Sequence, residues 1–306
     1  MTAVLEARLA ERRFRGGAGV GPLDLTLAAG EVVALMGPNG SGKSTLLRVL
    51  ATADRTRGGS VTWWGCDRRP VARRRIGYAP DQAVDEDALS ARQSTHFWCR
   101  QWLRGEEARR RTDRVLAELG IAAIADEPLG NLSFGTRRRV GLAQSLVHEP
   151  ELVLMDEPSA GIDPDGVDDL VGLLRTRASA GAAAVVASND PGFVGRVADR
   201  VAFLDGGLLI RVEATGRLLA ELPSRVVELR RRDERWDGPN IAGARTLGCS
   251  DGWWTVELMD DTSLPALVAA ADWPGGRLEG LHLRSPDLRD CFRRLTGREM
   301  TAGAPR

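Results

Sequence analysis

Lysine is almost missing from this chain. Of its 42 lysines and arginines in 306 residues, only Lys43 is a lysine. Codon bias accounts for a general preference for arginine, but not for the one place where lysine is kept. A compact ammonium reaches between phosphates where a planar guanidinium does not fit, so Lys43 is singled out at once. A surplus of charge is also missing. The 42 basic residues are cancelled by 42 acidic ones, so bulk charge draws the chain neither to nucleic acid nor to anionic lipid. Cysteine is sparse: Cys66, Cys99, Cys249 and Cys291 form no CxxC pair and have no histidine nearby at ligand spacing. They predict scattered thiols in a reducing compartment. Finally, no run approaches the roughly 18 apolar residues of a membrane span. The opening residues MTAVLEARLAERRFRGG lack the apolar stretch of a signal peptide. The expectation is a cytoplasmic protein that does not move a solute across a bilayer unaided.

What is present is ordinary globular material, 43% hydrophobic and 27% charged, enough for one large domain and a small one. Apolar runs at Leu23–Leu35, interrupted by a turn at Ala29-Gly30, predict two strands, the second being Val32–Met36. A glycine-rich loop and a helix from Ser44 to Leu50 follow, and Gly58-Gly59 is expected to end that unit before a strand at Val61–Trp64. A helix should carry Phe97, Trp98 and Trp102. Another runs from Glu106 to Leu119, with Val115, Leu116 and Leu119 on one face and Gly120 as its stop. Thr136–Val147 is also predicted helical. Leu152–Met155 and Ala183–Ala187 are uninterrupted apolar runs of the kind that form parallel strands covered on both faces, with a helix over Asp168–Ala178 between them. The character changes near Leu222-Pro223, where the charged run Arg230–Arg235 and the alternating segment Trp253–Leu258 predict a small α+β domain.

Two segments carry chemistry. Gly37-Pro38-Asn39-Gly40-Ser41-Gly42-Lys43-Ser44-Thr45 matches the phosphate-binding P-loop pattern between a strand and a helix. Its glycines let backbone N–H groups turn toward phosphate oxygens, and the following helix adds the positive end of its dipole. Lys43 would contact the terminal phosphates and Ser44 would ligate Mg²⁺. Downstream, Leu152–Met155 ends in two carboxylates at the C-terminal end of a strand, where ligand groups gather in open α/β sheets. Asp156 would hold Mg²⁺ through water and Glu157 would polarise the attacking water.

With these residues in place, the chain from about Val4 to Val212 resembles the ATP-binding subunits of ABC transporters. Leu132-Ser133-Phe134-Gly135-Thr136 resembles the family signature LSGGQ, which implies that Ser133 and the backbone near Gly135 grip a γ-phosphate across a dimer interface. Ser159–Asp163 resembles the D-loop and adds Asp163. Ile76–Pro80 resembles the lead-in to the Q-loop, where either Asp81 or Gln82 could reach nucleotide or metal. The resemblance implies an α/β P-loop NTPase core with an antiparallel β-subdomain and a helical signature subdomain over about 83–148. The nucleotide-binding domain would span 1–220, and a small C-terminal α+β domain 221–306.

Departures from the family pattern carry as much information as matches. Phe134 and Thr136 replace signature residues, and Phe14 is the one nearby aromatic for adenine. Asn189, in Val186-Ala187-Ser188-Asn189-Asp190, stands where the family has a histidine. None of His96, His148 and His282 lies near the end of that strand. The C-terminal Ser285–Phe292 with Leu295–Arg298 is similar to the tail of drug- and antibiotic-exporter ATPases; as a bare sequence it predicts a helix capped by Ser285 and ended by Gly297. The implied function is ATP hydrolysis, with Glu157 and Asn189 catalytic and ATP and Mg²⁺ bound. Its implied partners are a separate membrane-spanning permease and a second ATPase subunit, identical or related, with no direct contact to nucleic acid. The alternative is an ATP-gated dimerising switch that hydrolyses little because Asn189 replaces the histidine.

Overall fold

The computed structural model describes residues 3–84, 86–231, 240–250, 252–260, 263–272, 278–298 and 300. Most of the charged run, Arg232–Arg235, lies outside them. In chain order the elements are β1 (Ala3–Arg13), β2 (Gly19–Ala28), β3 (Val32–Met36), α1 (Lys43–Leu50), β4 (Gly58–Trp63), α2 (Arg69–Arg73) and β5 (Ile76–Ala79). Then follow α3 (Ala91–Cys99), α4 (Gly105–Glu118), α5 (Phe134–Leu146), β6 (Leu152–Asp156), α6 (Pro164–Ser179), β7 (Ala183–Ala187) and α7 (Pro191–Val197). The rest are β8 (Arg200–Asp205), β9 (Leu208–Ala214), α8 (Thr215–Ala220), β10 (Arg225–Arg231), β11 (Ala244–Ser250), β12 (Trp253–Leu258), α9 (Leu264–Asp272), β13 (Leu278–Arg284) and α10 (Leu288–Thr296). Among the described residues no helix is long and apolar enough to cross a membrane.

The chain falls into two units, the first running to Thr215 and the second beginning at Gly216. The first is built on a six-stranded sheet of order β5-β6-β7-β3-β8-β9, parallel except where β9 returns antiparallel to β8. β3, β6 and β7 are buried at every residue, as their unbroken apolar sequences require of strands covered on both faces. A second, antiparallel sheet of order β2-β1-β4 shares its core, with Leu5, Leu25, Leu27 and Trp63 packing in one cluster with Leu35, Leu47 and Leu154. Gly58 and Gly59 lie inside β4 rather than ending the preceding unit, because a bulge in β1 brings the backbone of Leu9 against Gly59. The helices α3, α4 and α5 pack on one another; Val115, Leu116 and Leu119 are buried there and Gly120 is left-handed. Trp102 lies beyond the end of α3. Because β6, β7 and β3 are adjacent and parallel, the loops at their C-terminal ends open at the same edge of the sheet.

The second unit is an antiparallel sheet of order β11-β12-β10-β13. Val227, Leu229, Val256 and Leu258 on one face pack with Leu267 and Ala271 of α9. The cap of α10 is Asp287, not the expected Ser285: Asp287 and Asp290 form a reciprocal capping box, a tighter arrangement than a serine hydroxyl two residues earlier could give. Gly297 ends the helix in the left-handed conformation.

Candidate nucleotide site

The loop after β3 is shaped by two glycines. A Cβ at Gly37 would stand 2.0 Å from the Leu204 carbonyl oxygen, so only glycine lets the chain leave the sheet this closely. Gly42, at φ 103°, turns the chain left-handed into α1 and leaves the first N–H groups of that helix without a side-chain cap. Uncapped N–H groups at the positive end of a helix attract an anion. Lys43 is buried, and its Nζ donates to the carbonyl oxygens of Gly37 at 2.6 Å and Pro38 at 3.4 Å. Burial lowers its pKa, against the opposing pull of Glu157 and Asp156. A desolvated ammonium whose acceptors are neutral carbonyls gains strongly from a charged phosphate oxygen. The Ser41 hydroxyl, also buried, has no hydrogen-bond partner among the described residues. Ser41, Gly42 and Lys43, together with Phe14, Gly19, Asn39, Gly40, Ser44, Thr45, Asp81, Asp156 and Glu157, line a pocket of about 240 Å³.

The two carboxylates enter that pocket from β6. Asp156, the last residue of the strand, is 4% exposed. Burial raises its pKa, and the Ser44 hydroxyl hydrogen-bonded to it opposes the shift. Serine hydroxyl beside carboxylate is an all-oxygen donor pair, the chemistry a hard divalent cation such as Mg²⁺ takes. Glu157 follows at φ 45°, a left-handed backbone that costs a residue with a Cβ roughly 1–3 kcal/mol and that recurs where function dictates geometry. Its N–H donates to the Ala187 carbonyl oxygen at 2.8 Å. Burial is the first cause of its raised pKa, ahead of the opposing Lys43 charge. A more basic carboxylate is a better proton acceptor near neutral pH. Asn189, after β7, spans both motifs: its backbone N–H donates to Glu157 Oε2 at 3.4 Å, and its Oδ1 accepts from the Gly37 N–H at 3.4 Å.

Asp81 and Gln82 part company. Asp81 lines the phosphate pocket, whereas Gln82 lines a neighbouring cleft of about 550 Å³ with Trp98, Trp102, Arg138 and His148. In that cleft Trp102 stacks on His148 with ring centroids 4.2 Å apart, and burial holds the His148 pKa down to about 4. Ser133 is the N-cap of α5, accepting from the Thr136 N–H at 3.2 Å. Gly135 sits where a Cβ would come 2.2 Å from the Gly161 carbonyl oxygen, so the signature and the 159–163 loop are in close contact. Asp163 caps α6 and pairs with Arg139 at 3.2 Å. Ser133, Gly135 and Asp163 do not line the phosphate pocket of their own chain. Phe14 does line it, 42% exposed, with the Arg12 guanidinium 4.7 Å from its ring centre.

The pocket's donors and acceptors fit a nucleoside triphosphate: a cradle of N–H groups, one buried ammonium, a spare hydroxyl, and a paired serine and aspartate for a cation. Beside the Glu157 carboxylate, this arrangement suits phosphoryl transfer to water. One contributor has no precedent in the motif reading. Arg138, read only as part of a helix, is 3% exposed and donates to the backbone of both Asp156 and Glu157. The signal for it was the run Arg137-Arg138-Arg139 directly after the signature.

Comparison with known proteins agrees with this geometry. The family described as ABC transporter matches residues 20–160. The chain is 31% identical to a daunorubicin resistance ATP-binding protein, DrrA3 of Streptomyces coeruleorubidus, over 94% of each chain. It is 34% identical to the nickel import ATP-binding protein NikO of Rhodobacter capsulatus, covering 76% of this chain and 95% of that one. Among solved structures it is similar to cbiO1 of Clostridium perfringens, part of an ABC transporter complex, at 28% identity and TM-score 0.63, covering 72% of this chain and 92% of that one. On this likeness over nearly its whole length, the chain belongs to the ABC transporter family as an ATP-binding subunit that hydrolyses ATP.

Proposed function

We propose that this chain powers an exporter by hydrolysing ATP on behalf of a separate membrane-spanning permease, held at the inner face of the cell membrane by that partner. The observation that carries the export reading is coverage. The relative named for drug resistance matches this chain almost end to end, second unit included. The nickel-import relative is itself matched almost in full, yet covers 76% of this chain. Resistance conferred by an ATP-driven subunit is most simply removal of the compound. The exposed aromatics Phe97 and Trp98, and Trp102 above the larger cleft, form the surface offered to a cytoplasmic helix of the permease.

In this reading two ATPase subunits pair head to tail. Ser133 and the N–H groups around Gly135 close over the phosphates held by the partner copy's loop 37–45, which accounts for their absence from their own pocket. Phe14 stacks the adenine. Ser44 and Asp156 would hold Mg²⁺, which would supply positive charge against the charge that develops on the phosphates. Lys43 balances charge on the same oxygens. Glu157 accepts a proton as water attacks the γ-phosphorus; the bond to the β-phosphate oxygen breaks, and ADP and phosphate result. Asn189 fixes Glu157 against the loop after β3.

Transport into inside-out vesicles bearing the chain and a permease of about six spans is the test. Export from the cell becomes ATP-dependent uptake of a fluorescent amphiphilic cation into such vesicles, and Glu157→Gln abolishes it. Turnover in that variant should drop about 10²–10⁴-fold while ATP still binds. Uptake confined to right-side-out vesicles would make the system an importer.

A further inference from the structure

Three consecutive arginines leave α5 in three directions, as a turn of about 100° per residue requires. Arg137 reaches Asp87 at 3.5 Å and Arg139 reaches Asp163 at 3.2 Å, both near the surface. Arg138 turns inward. Its Nη2 donates to the carbonyl oxygen of Asp156 at 2.6 Å and of Glu157 at 2.6 Å, and stands 3.0 Å from the Asp81 carboxylate. We propose that Arg138 is a positioning residue for hydrolysis: it fastens both catalytic carboxylate residues, through their backbone, to the helix that carries the signature, and holds Asp81 at the phosphate pocket. The inference rests on the ATPase reading with Glu157 as the proton acceptor.

The left-handed peptide of Glu157 is held from two sides, its N–H by the Ala187 carbonyl and its carbonyl by Arg138 and the Ala160 N–H, of which only Arg138 ties it to another element. Without the guanidinium the Glu157 carbonyl keeps only the Ala160 N–H of its own loop, at 3.1 Å, its tie to α5 is gone, and the carboxylate loses part of the orientation that proton transfer needs. All three contacts run through Nη2 at the end of a rigid planar group, and a lysine, one atom shorter and ending in a freely rotating ammonium, does not bring its nitrogen to the same point. Charge follows the same logic. A buried guanidinium needs a counter-charge, and the nearest are Asp81 and the Asp156 carboxylate. Asp81 is 58% exposed, so the pair adds little to stability. What the pair does is set where Asp81 stands. Because Arg138 belongs to α5, a shift of the signature helix on closing over a partner's nucleotide reaches Asp156 and Glu157 directly.

The test is single-turnover hydrolysis at saturating ATP, which separates the rate constant of loaded sites from the fraction loaded. Arg138→Met should lower the rate constant about 30–100-fold, with the ATP Kd changed less than about 3-fold. Arg138→Lys, which keeps the buried charge, should fold as the wild type does and still lose about 10-fold. Asp81→Asn alone should lower the rate about 3-fold, and should add nothing in the Arg138→Met background, since the two act through one contact. An unchanged rate constant in Arg138→Lys, with or without a smaller loaded fraction in Arg138→Met, makes Arg138 structural and overturns the proposal. Fully additive effects of the two substitutions overturn the link to Asp81. A wild type that binds ATP without turning it over counts instead against Glu157 chemistry and leaves the Arg138 contacts to be judged by the Kd alone, where a loss above 10-fold overturns the proposal as well.

Discussion

Both units of this chain bury carboxylates among arginines, and they do so to different ends. In the second unit Asp290 is 2% exposed and takes two hydrogen bonds from Arg284, at 2.7 and 2.8 Å, while also capping α10. Glu257, fully buried, lies 3.4 Å from Arg294. Asp290 is satisfied by partners of its own unit, whereas Glu257 has that ion pair but no hydrogen bond to either oxygen among the described residues. In the nucleotide unit Asp156 is buried and Glu157 half-buried, yet they line an open pocket, facing an ammonium and uncapped helix N–H groups. Burial therefore does not separate a working carboxylate from a structural one. The separating feature is unspent donor capacity of opposite sign at the same strand end.

The largest effect that this contrast predicts is at Lys43. Lys43→Ala should weaken ATP binding at least about 100-fold, or about 3 kcal/mol, because a desolvated charge facing phosphate is removed. Lys43→Arg should be little better, since the fork does not fit between phosphates. Titration with a fluorescent ATP analogue reads both, and unchanged affinity in Lys43→Arg would sink the P-loop assignment. Next comes Asp290→Ala, which leaves Arg284 short of its main partner and removes one half of the capping box, while Asp287 remains the cap. It should cost about 2 kcal/mol in chemical unfolding of the second unit, discounted because Arg284 is partly exposed. ATP affinity should not move. A coupled loss of ATP binding would erase the distinction between structural and working carboxylates.

A third test uses pH, where stability and activity should move in opposite directions. Glu157 and Asp156 both have raised pKa values, burial first among the causes. The folded nucleotide-free protein therefore binds protons more readily than the unfolded chain. Stability from these groups is fully present below their ordinary values of 4.5 and 3.8 and is lost as pH rises through the higher folded values. Turnover needs the ionised base, so it should instead fall as pH drops through the Glu157 pKa, above the usual glutamate range. Thermal melts against pH for wild type and Glu157→Gln isolate the glutamate share. Identical pH profiles in the two would show that Glu157 is not held in a desolvated site.

The strands and the phosphate loop were legible because their causes are local. Unbroken apolar runs such as Val32–Met36 have one use in a soluble α/β sheet, and a Gly-rich loop with a lysine between strand and helix has few others. Glu157 and Asp156 were legible for a related reason, the abrupt change from apolar to acidic at a strand end. Arg138 was not, because the sequence gives three equivalent arginines, and packing of α5 against β5, α3 and α4 decides which one turns inward. Asp81 and Gln82 were equally undecidable: they follow β5 in a tight turn, closed by the Gln82 N–H on the Pro80 carbonyl at 2.8 Å, and only the fold says which of them faces the phosphate pocket. The cap of α10 was misplaced by two residues because Asp290, three positions on, makes Asp287 the better partner. Local preference proposed Ser285, and a reciprocal pair overrode it.

The smallest expected effect is at Asn189, and it sharpens the account of Glu157 most. Asn189 holds the Gly37 N–H through Oδ1 and the Glu157 carboxylate through its backbone N–H. With its oxygen spent on Gly37, its remaining polar group is a neutral amide donor that carries no titratable proton near pH 7. A histidine there keeps the backbone contact to Glu157 but extends a longer side chain whose protonated form adds charge where the transition state gains it. Asn189→His should therefore raise turnover about 3-fold, under 1 kcal/mol, with ATP Kd unchanged within 2-fold, since the new contact matters most as charge develops. The variant should also acquire a pH dependence between about 6 and 8 that the wild type lacks, because the imidazole titrates there. Single-turnover rates across that range decide the matter. If wild type and variant share both rate and profile, the side chain at 189 does not meet the reacting phosphate, and the position serves only to hold Glu157 through the backbone.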